Sequence, residues 1–101
     1  MTFQHVSVDQ LKVMLKERDV VLLDTRDEVS YQAGHMEGAM RLDDRSVGAF
    51  VRETEKDSAV VVVCYHGHSS RDAASYLAGQ GFSDVYSLDG GYTAWAGSDH
   101  D

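Results

Sequence analysis

The chain has 101 residues, which is enough for one domain with one hydrophobic core and too few for two. Its formal net charge of −8 repels nucleic acid and anionic membranes, so neither is expected as a partner. No apolar run approaches the roughly 20 residues that span a membrane, and the first residues lack the basic and apolar segments of a signal peptide. We therefore expect a cytoplasmic protein with a single domain, 1–101, whose core covers about 7–95 and whose polar tail, 97–101, frays.

Short apolar runs that predict strands alternate along the chain with segments of helical periodicity. Ser7 and Gln10 have the spacing of a capping box at the start of the first helix. Asp27 suits the N-cap of the second helix, and Gly34 suits the left-handed position that follows its end. In chain order, the predicted elements are a strand at 3–6, a helix from Ser7, a strand at 20–23, a helix from Asp27 to about Ala33, a strand at 39–42, a helix from Asp43, a strand at 60–63, a helix from Ser70 to about Gly79, a strand at 82–88 and a last helix that contains Trp95.

The alternation of apolar strands with helices defines the fold class. It predicts an α/β domain in which a mostly parallel, five-stranded sheet carries helices on both faces. In such sheets the functional crevice lies at the carboxyl ends of the strands. Two polar segments, 24–26 and 64–66, directly follow predicted strands. We therefore expect both segments to lie in that crevice.

The only cysteine, Cys64, stands between the buried run at 60–63 and the helix from Ser70. Because it is single, it excludes an internal disulfide and a metal site made of several cysteines. Two interpretations remain, a buried structural thiol or a reactive one, since free cysteine is among the most buried residue types. The position favours a reactive thiol, because unpaired amides and partial positive charge at a helix N-terminus stabilise a thiolate.

The six residues from Cys64 to Ser69 predict a small anion cradle. Gly67 allows the backbone to curl tightly, and Arg71 adds positive potential near the start of the helix. A phosphatase or arsenate reductase is the competing hypothesis, because a cysteine, a curled loop and an arginine also occur in Cys-x5-Arg phosphatases. The spacing opposes it, since that motif would place the arginine at position 70, which is Ser70. A six-residue loop suits an anion that is bound through the sulfur itself.

Three segments of the chain carry a resemblance to a known family. They are 24–26 (DTR) with 31–39 (YQAGHMEGA), 62–71 (VVCYHGHSSR) and 89–95 (DGGYTAW). In this order and spacing they resemble the amino-terminal signature, the active-site loop and the carboxyl-terminal signature of the rhodanese family, in particular its single-domain thiosulfate sulfurtransferases. Met36 stands where isoleucine is usual. Tyr65 replaces an arginine that many members have, and Tyr65 with His66 and Gly67 is typical of one bacterial single-domain subgroup.

The resemblance implies a rhodanese-like domain that transfers sulfur by a ping-pong mechanism without a cofactor. In that mechanism the Cys64 thiolate attacks the outer sulfur of thiosulfate, sulfite leaves, and backbone amides of 65–69 hold the resulting persulfide. Cyanide, or a thiol or dithiol acceptor such as a thioredoxin, then removes the sulfur. The alternative is a persulfide carrier or sulfur-relay module that takes sulfur from a protein donor and turns over little thiosulfate.

The candidate site residues all come from this loop and the start of the following helix. Cys64 is the predicted nucleophile, and the predicted substrate-binding residues are Tyr65, His66, Gly67, His68, Ser69 and Arg71. Ser69 either donates to the persulfide or caps the helix, and Arg71 either binds the substrate anion or faces solvent. His66 and His68 raise the alternative of a metal site, but no further ligands are evident and sulfur transfer needs no metal.

Asp24 and Arg26, at the end of the second strand, are candidates for general acid and base groups. We expect them to form an ion pair or a loop brace instead, because this chemistry needs no strong general base once the thiol is ionised.

Overall fold

The computed structural model describes residues 2–98, in which five strands alternate with five helices. The strands are β1 (Gln4–Val6), β2 (Val20–Asp24), β3 (Met40–Arg41), β4 (Ala59–Val63) and β5 (Val85–Leu88). The helices are α1 (Val8–Glu17), α2 (Glu28–Ala33), α3 (Val47–Glu53), α4 (Ser69–Gly79) and α5 (Gly91–Ala96). Residue 1 and residues 99–101, the end of the tail predicted to fray, lie outside the described residues. The predicted α/β class is confirmed.

The five strands form one parallel sheet in the order β1-β5-β4-β2-β3. β4 is its central strand, with β5 paired along one side and β2 along the other. All five β4 residues are buried. This burial explains the run of four valines, because a central parallel strand is covered on both faces and β-branched side chains pack well there.

The alternation of side chains along β4 divides the hydrophobic core into two layers. Val60 and Val62 pack on the side of α3 and α4, against Phe50 and Leu77. Val61 and Val63 face the opposite side, where α1 and α5 cover the sheet. Burying each of these side chains contributes about 1.5–3 kcal/mol relative to leaving it in water. Helices therefore cover both faces as predicted, and none of those in residues 2–98 has the length and hydropathy needed to cross a bilayer.

The predicted helix caps form around α1 and α2. The Ser7 hydroxyl accepts the Gln10 amide at 3.1 Å, and the Gln10 side chain accepts the Ser7 amide at 2.9 Å. Asp27 caps α2, where its carboxylate accepts an amide of the first turn at 3.1 Å. The left-handed conformation predicted for Gly34 is wrong, because its φ of 167° is extended. Glycine suits this position because it is small, since an added Cβ would lie 3.3 Å from the Tyr92 hydroxyl oxygen.

Two elements begin three or more residues later than predicted, whereas the other boundaries differ by at most one residue. α3 begins at Val47 instead of Asp43, because the Asp43 carboxylate accepts the amides two and three residues further on, at 2.9 and 3.0 Å, and so forms a turn before the helix. β5 begins at Val85 instead of residue 82. Phe82 is fully buried, but it reaches the core from the turn that follows α4.

Candidate active site

β4 delivers Cys64 to the carboxyl edge of the sheet, where the loop meets the start of α5. The Cys64 carbonyl accepts the Tyr92 amide at 2.7 Å, and the Tyr65 carbonyl accepts the Thr93 amide at 3.1 Å. First-turn amides have no acceptor inside their own helix, so these bonds satisfy both partners. α5 thereby fixes the first two residues of the loop.

Two glycines allow the loop to pack closely on its neighbours. Gly67 has a φ of +90°, and an added Cβ would lie 2.8 Å from the Gly90 amide nitrogen. Gly91 has a φ of +61°, and its added Cβ would lie 2.5 Å from the Cys64 carbonyl oxygen. Both positions need a left-handed backbone and lack space for a side chain, so glycine is required at each.

The Cys64 thiol lies within a set of hydrogen-bond donors. The Gly67 amide donates to Sγ at 3.1 Å, and the Ser70 hydroxyl lies 3.2 Å from Sγ. Burial raises the pKa of the Cys64 thiol, whose side chain is almost completely inaccessible. Hydrogen bonds from the Ser70 and Ser69 hydroxyls and from the amides of Ser70 and Gly67 outweigh burial and lower this pKa to about 7. The thiolate is therefore well populated at neutral pH.

Ser70 is a site residue that was not predicted from the sequence. It lies on the buried face of α4 with Ala74 and Leu77, and all three are completely inaccessible. The signal in the sequence is the spacing i, i+4, i+7, which puts a hydroxyl on an otherwise apolar helix face. Its oxygen also lies 2.7 Å from the hydroxyl oxygen of Ser87, a second fully buried serine.

Arg71 and His68 lie together on the rim of the loop. Arg71 Nε donates to the Gly67 carbonyl at 3.0 Å, and its guanidinium also bonds to His68 Nδ1. Because arginine only donates, Nδ1 of His68 is the acceptor and a neutral ring carries its proton on Nε2. His66 is exposed on the same rim. Ser69 is the first residue of α4, whereas His68 occupies the N-cap position.

Tyr65 is 43 % exposed and ties the loop to the start of α2. Its hydroxyl lies 2.6 Å from the Ser30 hydroxyl oxygen and also bonds to the Asp27 carboxylate. The Tyr65 hydroxyl, together with donors from Ser30, lowers the pKa of Asp27 to about 2. The structure thus brings Gly67 and Ser69 to the sulfur, while the Tyr65 side chain is engaged with α2.

Asp24 and Arg26 form the predicted ion pair. Arg26 Nη2 donates to Asp24 Oδ2 at 2.7 Å and Nε to Oδ1 at 3.0 Å, and both side chains are at least 96 % buried. Nη2 also donates to the Gly34 carbonyl at 2.7 Å, and the guanidinium lies 4.0 Å from the Tyr92 ring centroid. The pair therefore braces the end of β2 against α2 and α5. Within residues 2–98, no three His, Cys, Asp or Glu side chains cluster closely enough to hold a metal.

The fold and the site together define a parallel α/β domain that holds one nucleophilic thiol in an anion-binding loop. A family model described as a rhodanese-like domain matches residues 7–98. The chain is 52 % identical over 95 residues to a protein from Pseudoalteromonas translucida (strain TAC 125) named thiosulfate sulfurtransferase GlpE, with 94 % of this chain and 90 % of that protein covered. It is 48 % identical over 94 residues to a protein of the same name from Shewanella oneidensis, with 93 % of each covered.

A solved structure shares the fold. The rhodanese-like domain of the Alr3790 protein from Anabaena sp. has a TM-score of 0.81 and 29 % sequence identity, with 91 % of this chain and 72 % of that chain covered. The chain belongs to the rhodanese family, as its three motifs predicted.

Proposed function

We propose that the chain is a thiosulfate sulfurtransferase in which Cys64 carries the sulfur as a persulfide. The observation that carries this proposal is a single buried thiol with a pKa of about 7, surrounded by hydrogen-bond donors at the start of α4. Two relatives that are 52 % and 48 % identical are named thiosulfate sulfurtransferases, which supports thiosulfate as the sulfur donor.

In the first half-reaction the Cys64 thiolate attacks the outer sulfur of thiosulfate. A new S–S bond forms, and the electron pair of the thiosulfate S–S bond leaves with sulfite. The enzyme-bound persulfide retains the negative charge that the thiolate had, so the step needs no proton. A low thiol pKa supplies the nucleophile at neutral pH without a separate general base.

The persulfide anion requires donors beyond those that bind Sγ. Within residues 2–98, the amides of His66, His68 and Ser69 have no hydrogen-bond acceptor in the protein. We assign these amides to the outer sulfur, because a curled loop with free amides binds anions. This cradle holds an anion in a chain whose net charge is −8, so the binding free energy has to come from local dipoles.

We propose that the rim side chains bind the oxygen atoms of thiosulfate. Arg71 has five N–H donors, of which Nε and one terminal amino group bond to the loop and His68, so donors remain for an oxyanion. His68 Nε2–H, His66 and the exposed part of Tyr65 complete the rim. Gly67 and Ser69 contribute at the sulfur itself.

In the second half-reaction the acceptor attacks the outer sulfur, and Cys64 leaves as a thiolate. A leaving thiol with a pKa of about 7 departs readily, so the donors that activate the nucleophile also assist its release. We propose cyanide as an acceptor in the assay and a thiol or dithiol, such as a thioredoxin, as the cellular acceptor. Thiols of this kind stay reduced in the cytoplasm, where we place the reaction.

The experiment that tests this function measures initial rates of sulfite and thiocyanate formation while thiosulfate and cyanide are varied. We expect the parallel-line pattern of a ping-pong mechanism, and no turnover by Cys64→Ser at unchanged circular dichroism. One equivalent of sulfite without continuing turnover would favour the persulfide carrier. Absence of sulfite from a folded parent protein would contradict the proposed function.

A further inference from the structure

Ser87 interrupts an apolar layer of the core. In β5, Val85 and Ser87 point to the α4 side of the sheet, and Ser87 pairs in register with Val62 of β4. Ser87 is completely inaccessible to solvent, and the alternation of side chains along β5 predicts an apolar residue at this position. A hydroxyl buried there is unfavourable unless it is hydrogen-bonded, so the contacts of this side chain identify what it does.

Ser87 is the end of a chain of three side chains that leads to the sulfur. Its hydroxyl oxygen lies 2.7 Å from Ser70 Oγ, which in turn lies 3.2 Å from Cys64 Sγ. Among the residues at 2–98, Ser70 Oγ is the one acceptor that the Ser87 hydroxyl reaches. Cys64 itself points to the same side of the sheet, because it follows Val62 by two residues.

When the sulfur is ionised, one direction of hydrogen bonding gives each hydroxyl proton of Ser70 and Ser87 an acceptor. If Ser70 donated to Ser87, the Ser87 proton would be buried without an acceptor and the thiolate would lose one of its two hydroxyl donors, leaving the Ser69 hydroxyl alone. If Ser87 donates to Ser70, the Ser70 proton is directed to the thiolate and every donor has an acceptor. The second arrangement is therefore the stable one for the reactive form of Cys64.

We propose that Ser87 is a positioning residue for sulfur transfer, which acts by donating to Ser70 Oγ and so directing the Ser70 proton to Cys64 Sγ. Donation into Ser70 Oγ polarises the Ser70 O–H bond and strengthens its hydrogen bond to the anion. It also opposes a competing state in which Ser70, in the first turn of α4, bonds to a backbone carbonyl. Ser87 itself does not contact the sulfur.

The test measures the alkylation rate of the thiol by iodoacetamide as a function of pH. Cys64 is the only cysteine, so the rate reports this thiol alone. We expect Ser87→Ala to slow alkylation about two- to threefold below about pH 7, and to match the parent above about pH 9, where the thiol is ionised in both proteins. In a Ser70→Ala background, Ser87→Ala should have no further effect, because the residue through which it acts is missing.

Two controls separate the hydroxyl from packing. Ser75→Ala, on the exposed side of α4, should leave the pH profile unchanged. Ser87→Thr and Ser87→Val add similar volume at the buried site, so the threonine variant should keep the parent profile and the valine variant should show the slower one. This pair gives a second comparison if Ser87→Ala is too unstable to study.

The proposal is overturned if Ser87→Ala has the parent alkylation profile, or if it shifts the profile equally with and without Ser70. It is also overturned if the threonine and valine variants behave alike. The effect on turnover rests on the proposed function, but the alkylation profile does not. If the parent protein does not turn over thiosulfate, the proposed function is refuted. The pH profile of the alkylation rate still decides the role of Ser87.

Discussion

Replacing Gly91 with alanine is expected to displace the Cys64 loop from α5. The added Cβ would lie 2.5 Å from the Cys64 carbonyl oxygen and from the Tyr65 carbonyl carbon and oxygen, whereas ordinary contacts begin at 3.4 Å. These are backbone atoms that cannot rotate away, so the two segments must separate by about 0.9 Å. The shift loosens the hydrogen bonds from α5 that fix the first two loop residues.

Gly91→Ala is expected to lower both the free energy of unfolding and the rate of sulfur transfer. A left-handed alanine costs about 1–2 kcal/mol, and relieving the overlap costs a further ~1–3 kcal/mol. A misplacement of about 1 Å at a reacting group lowers the rate on the order of 100-fold. Gly38→Ala is the matched control, because Gly38 also has a positive φ of 83° but nothing lies within 4 Å of its added Cβ. It should show the backbone cost alone and keep the parent rate.

Urea unfolding gives the stability of each variant, and initial rates of thiocyanate formation give kcat/KM for the folded fraction. The prediction for Gly91→Ala is refuted if this variant keeps the parent kcat/KM. It is equally refuted if Gly38→Ala loses as much activity as Gly91→Ala, since the loss would then arise from backbone strain and not from the contact with the loop.

Three further predictions concern ionisable groups. Sulfite release in a single turnover should fall as pH drops below about 7, because the Cys64 thiolate becomes protonated, and a flat profile would contradict this. Asp24→Asn leaves the buried Arg26 without its ion-pair partner and should cost about 3–5 kcal/mol in urea unfolding, whereas a loss below ~1 kcal/mol would show that the pair is dispensable. Tyr65→Phe should raise the Asp27 pKa from about 2 in a carboxyl NMR titration, and an unchanged value would disprove the contact.

Elements with a local cause were predictable from the sequence. The four valines before Cys64 identified the central strand, because a short run of β-branched apolar residues is typical of a strand covered on both faces. The spacing of Ser7 and Gln10 identified the first helix, since both partners of a capping box lie within one turn. The thiol at the carboxyl end of β4 followed from these elements and the general position of sites in parallel sheets.

Features that depend on packing between elements were not predictable. Ser70 and Ser87 are 17 residues apart, and their contact arises because α4 lies over β5. The direction of the Arg71 side chain depends on the curl of the loop at Gly67, whose carbonyl it meets. The left-handed conformation of Gly34 was predicted from the preference for glycine after a helix. In the structure, the Tyr92 hydroxyl on α5 instead limits the size of the residue at this position.

The mass of the intact chain after incubation with thiosulfate, in the absence of any acceptor, tests the central claim most directly. We predict that each chain gains one sulfur atom while one equivalent of sulfite appears, and that cyanide then restores the original mass. Cys64→Ser should gain no mass, because the chain has no other cysteine. A folded parent protein that gains no sulfur, or a Cys64→Ser variant that gains one, would contradict the account.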